Sequence, residues 1–189
     1  TATSSGSLKI RTANSGANGV SGMLVFSSGT TSSGNSGMVM IGSGAATGGR
    51  GGSIALTVGS GESGAGGYLR VESGASKTHT GGALTIESGE GTATSSGSLK
   101  IRTANSGANG VSGMLVFSSG TTSSGNSGMV MIGSGAATGG RGGSIALTVG
   151  SGESGAGGYL RVESGASKTH TGGALTIESG EGTATSSGS

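Results

Sequence analysis

Residues 54–67 read IALTVGSGESGAGG. The first half alternates: Ile54 and Leu56 are large and apolar, while Ala55 and Thr57 beside them are small. The second half is almost entirely glycine and other small residues. Gly59, Gly61 and Gly64 carry the spacing G-x-G-x-x-G. After a strand, that spacing cradles a pyrophosphate only if a helix opens at the last glycine and an acidic residue stands about twenty positions further on. After Gly64 the chain runs AGGYLRV, a second alternating run, and the equivalent stretches elsewhere read SGSGAATGG and ESGEGTA. The glycines punctuate a repeat, and the fold depends on what the two halves of that repeat do.

The repeat has two periods. Residues 1–91 recur unchanged at 92–182, and 183–189 restart the unit as TATSSGS. The domain reading is therefore one repeat at 1–91, an identical one at 92–182, the start of a third at 183–189, and a single continuous array drawn from a longer one. Inside each copy, Gly6, Gly22, Gly37, Gly52, Gly67, Gly82 and Gly97 open successive units, the first of 16 residues and the others of 15.

With the opening glycine counted as offset 0, offset 2 holds Leu8, Leu24, Val39, Ile54, Leu69 and Leu84. Offset 4 holds Ile10, Phe26, Ile41, Leu56, Val71 and Ile86. The residues between them vary freely: Lys9, Val25, Met40, Ala55, Arg70 and Thr85. Strict alternation predicts a strand with one buried face, and these twelve residues as its core row. Offset 6 is Ser or Thr except at Val58, and offset 7 is Gly29, Gly44, Gly59, Gly74 or Gly89, with Ala13 in the 16-residue unit. Those glycines are expected to make a turn of positive φ. Offsets 9 and 11 then carry only small uncharged residues, from Ser15 and Ala17 to Gly91 and Ala93. Charges of this half fall elsewhere, as with Glu62, Lys77 and Arg50. A return strand with a small-residue face would account for that. Asn18-Gly19 adds a turn signal in the 16-residue unit.

The expected fold class is all-β: a parallel β-solenoid of 15-residue two-strand coils, with one 16-residue coil per 91 residues and a 30-residue coil as the variant. Each coil has only two large apolar residues to set against about 1–2 kcal/mol of ordering entropy per residue, so neighbours are obligatory. The outward face of two adjacent units would carry Met23, Val25, Met38 and Met40, an apolar patch expected to make lateral contacts. Glu87 and Arg102 share an offset in successive units and are placed to pair.

Composition excludes more than it assigns. The chain has 47 glycines in 189 residues and no Pro, Cys, Trp or Asp. Its formal net charge is only +2, with no basic run, which gives nucleic acid no footprint. No run approaches the ~20 apolar residues of a membrane span. A calcium-binding glycine-rich repeat needs Asp ligands, which are missing. Lys77 in GASKT lacks the preceding glycine of a phosphate loop. His79 and its copy His170 are the only histidines, with no second ligand or base nearby. The expectation is therefore no enzyme, no cofactor and no metal. A flexible Gly/Ser chain is the alternative that low apolar content supports.

The units G-x-[LIV]-x-[LIVF]-x-[ST]-G, each leading into a small-residue segment, resemble the Gly/Ser/Thr-rich repeats of algal and diatom cell-surface proteins. They are also similar to the β-solenoid stalks of bacterial adhesins. The resemblance covers the whole chain but is compositional, and it transfers no functional residue. It implies an extracellular or cell-surface structural polypeptide whose partner is itself, forming a stiff filament by stacking and lateral association. The alternatives are a spacer stalk, or an ice- or glycan-binding solenoid with surface glycans as partners. Against ice, the Thr residues of TAT, TTSS and THT do not share one offset; against glycans, Tyr68 and Phe26 are the only rings per repeat.

Overall fold

The computed structural model describes residues 5–182 and 188. The chain divides into two units, Thr1–Ser96 and Gly97–Ser189. Neither unit contains a helix or a strand among the described residues. The all-β expectation is thus overturned: there is no sheet, no 15- or 30-residue β-coil, no return strand and no solenoid among them.

Instead, each 15-residue period is an open run leading into a loop. The run spans offsets 0–7 and is neither helical nor turned. The loop begins at the offset-7 glycine, bends at offsets 10–12, and ends at the opening glycine of the next period. In three of the five 15-residue periods of the first unit, one backbone bond closes it; the loops ending at Gly37 and Gly97 lack that bond. The Gly52 N–H donates to Gly44 O at 3.0 Å, Gly67 to Gly59 at 3.2 Å, and Gly82 to Gly74 at 2.8 Å. In the second unit, Gly143, Gly158 and Gly173 donate to Gly135, Gly150 and Gly165. The segment read as a return strand is therefore an Ω-like loop whose ends meet. Its small uncharged residues at offsets 9 and 11 flank or enter the bend, where bulk would obstruct closure.

The glycines hold different places from those expected. Among the described residues, positive φ occurs at Gly34 (+96°) and Gly125 (+98°), both inside a bend. None occurs at offset 7, where a Cβ on Gly29, Gly44, Gly59, Gly74 or Gly89 would meet nothing within 4 Å. The steric demand lies at several opening glycines and at two offset-9 glycines, Gly61 and Gly91, whose Cβ would run into the backbone of Gly64 and Ser95. A Cβ on Gly52 would stand 2.9 Å from Ser43 Cβ and 3.3 Å from Gly44 O, and one on Gly67 would stand 2.6 Å from Val58 Cγ1. The opening residue is glycine because the chain passes close to the residue before the loop.

Entropy explains why the sheet does not form. Each period has only two large apolar side chains to bury against the ordering of fifteen residues, and glycine raises the ordering cost further. Closing a short loop orders fewer residues.

Consequently no described residue is buried. The chain exposes 18739 Å² of surface. A compact globule of this 17.4 kDa mass exposes about 7,900 Å², and an unfolded chain about 25,000 Å². The least exposed side chains are not the large ones. Thr12 and Ser73, with their copies Thr103 and Ser164, are half-buried, and all four sit at offset 6 where the loop ends converge.

Candidate functional site

Three local arrangements recur in both units: a loop clasp, a charged pair on the run, and an apolar groove. The clasp is built from offset 6. The Ser43 hydroxyl donates to Gly52 O at 3.1 Å, and the Thr12 hydroxyl to Gly22 O at 3.1 Å across the longer loop of the 16-residue unit. Ser134 repeats the bond to Gly143. At Gly52 and Gly143 the side-chain bond runs beside the backbone bond, so two donors close one loop; across the longer loop the Thr12 hydroxyl acts without one. The Ser/Thr regularity at offset 6 is plain in the sequence, but nothing there assigns it this role. In the 16-residue unit the Asn18-Gly19 signal becomes a turn: the Gly19 N–H donates to Gly16 O at 3.1 Å, and Ser15 Oγ donates to Gly19 O at 2.9 Å. Gly at the fourth place of such a turn is the ordinary preference.

The charged pairs lie within a run. Arg70 pairs with Glu72, and Arg161 with Glu163. The partners are two residues apart, so both project from one side of the run, as period-2 alternation demands. Each member is about two-thirds exposed, so the pair contributes little. Among the described residues of each unit these are the ion pairs.

The groove is where the large apolar side chains meet. In the first unit Leu8, Ile10, Phe26, Val39, Met40 and Ile41 line an open concavity of about 550 Å³. Leu8 with Ile10, and Val39 with Ile41, are alternate residues of their runs. Val39, Met40 and Ile41 are consecutive, however, so the lining does not keep the alternation read from sequence. The remaining row residues, Leu24, Ile54, Leu56, Leu69, Val71, Leu84 and Ile86, are exposed as well. Met23, Val25, Met38 and Met40 are also exposed, and exposure does not sort the two sets: Val25 is 62% exposed beside Phe26 at 65%, Ile41 is 73% beside Met40 at 78%, and Met40 itself lines the groove.

The stretches weighed in the sequence for nucleotide and metal chemistry form local loops. Gly67 folds back on Gly59 where a pyrophosphate loop would open a helix, and a Cβ on Gly61 would lie 2.5 Å from Gly64 O. His79 is held locally: its N–H donates to Ser76 Oγ at 3.0 Å, and its Nδ1 lies 2.9 Å from the Thr78 hydroxyl. Among the described residues, no group of three His, Cys, Asp or Glu side chains is placed to hold a metal. No helix among them is long and apolar enough to cross a membrane. No protein-family model matches the chain, and no curated protein or solved structure matches it.

Proposed function

We propose that the chain is a segment of a structural polypeptide that works by associating with copies of itself, at the cell surface or outside the cell, to build fibres. One observation carries this reading. Each period places large apolar side chains at the same two offsets, and every one of them is exposed in the single chain. An exposed apolar array of this extent marks contact with something. Copies of an unchanged 91-residue repeat match one another at any whole number of repeats. In this reading the contribution of the chain to its surroundings is mechanical.

A spacer between other domains is the second reading. The open, glycine-rich runs favour it, because such a chain spans distance without folding. Surface glycans are a further partner class, met through Tyr68 and Tyr159, each a single tyrosine per repeat. Sedimentation of the 189-residue chain over a wide concentration range, with electron microscopy of the same samples, separates the main readings. Growth in sedimentation coefficient and visible fibres support the structural role. A monomer at every concentration removes it and leaves the spacer.

A further inference from the structure

We infer that the groove lined by Leu8, Ile10, Phe26, Val39 and Ile41 is the self-recognition surface, and that its occupant is the same face of a second copy of this chain. The inference rests on the self-association reading above and names the surface and partner it leaves open.

The first ground is recurrence. The second unit carries an open apolar concavity of about 320 Å³ lined by Phe117, Val130, Met131 and Ile132. These are the same repeat positions as Phe26, Val39, Met40 and Ile41, displaced by 91 residues. The feature belongs to the repeat and not to one place in the chain. Neither lining contains a charged side chain. Lys9 and Arg11 stand on the runs but outside both linings, so the occupant must be apolar.

The second ground is area. Fully burying an aliphatic or Phe side chain removes roughly 60–120 Å² of apolar surface. The groove is the recessed part of a row that has twelve such residues per repeat, each half to nearly nine-tenths exposed, and the area is that of the row with the groove as its centre of recognition. Two repeats therefore offer on the order of 1,000 Å² per chain, at or above the about 800 Å² per partner of a stable interface. No described segment of the chain covers it.

The third ground is spacing. A second copy in register presents its own grooves at the same 91-residue interval, so contacts multiply along the array without new design. Any unrelated partner would need that interval too. The formal charge of +2 leaves little repulsion between copies.

The test uses the full 189-residue chain in two variants. One carries F26S, V39S and I41S with F117S, V130S and I132S. The other carries M23S, V25S and M38S with M114S, V116S and M129S, apolar residues of the same runs that lie outside both linings. Association is measured by sedimentation equilibrium. The expected result is that the groove variant weakens association by roughly 30-fold or more, the effect of losing central apolar anchors, while the other variant stays near the unmodified chain. Loss in the second variant with the groove variant unaffected overturns the inference and leaves self-association standing. An unmodified chain that remains monomeric removes both. Because the chain has no cysteine, I41C and K77C versions supply a positional check. Under an added oxidant I41C chains should cross-link faster than K77C chains, and the reverse order contradicts the groove.

Discussion

At the residue scale, two glycines of one loop have opposite reasons to be there. Gly52 is glycine because Ser43 and Gly44 crowd the space its Cβ would take. Gly44, at the other end of the same bond, has open space around it. Gly52→Ala should therefore break the clasp, and Gly44→Ala should leave it. The amide at residue 52 reports the difference: about fivefold faster hydrogen exchange in the first variant, for a lost bond of about 1 kcal/mol, and no change in the second. Equal behaviour of the two would contradict the crowding argument. Arg70→Ala tests the charged pair. With both partners about two-thirds exposed, the backbone chemical shifts of the run should stay within the noise of a surface substitution, because such pairs contribute about 0–1 kcal/mol.

At the element scale, the unit is a loop and not a strand pair. Amides at the loop ends, such as Gly67 and Gly82, have carbonyl partners, whereas amides of the runs, such as Leu69 and Val71, have none in the chain. Hydrogen exchange on dilute monomer should show weak protection at the opening glycines and none along the runs. Uniform protection of the runs would restore a ladder that the structure lacks. The alternation at offsets 2 and 4 was legible in sequence, and so was the turn at Asn18-Gly19. The meaning of offsets 9 and 11 was not. Small residues serve a return strand and a tight bend equally well, and composition does not separate them. The offset-6 hydroxyls were visible as a regularity, but a clasp between residues nine or ten apart, as in Ser43 to Gly52 and Thr12 to Gly22, depends on where the chain turns back.

At the scale of the whole molecule, the chain holds its apolar side chains outside any core. Association through them should carry the signature of apolar burial: strengthening in sulfate salts and weakening on cooling. Sodium chloride between low and physiological strength should matter little, since each lining is uncharged. A sedimentation series across salt type and temperature checks this, and a strong loss of association in sodium chloride would point to the Arg and Glu side chains instead.

The sequence alone determined the 91-residue and 15-residue periods, the two apolar offsets, the turn at Asn18-Gly19, and the poverty of chemistry-bearing side chains. These are properties of residue type and spacing, and spacing is preserved whatever the backbone does. Only the tertiary structure decided whether alternating runs become strands. A strand exists through its partner, and partner choice is a balance of burial against ordering entropy over the whole chain. With two large side chains per period and glycine at a quarter of all positions, that balance closes the loops locally and leaves the runs unpaired.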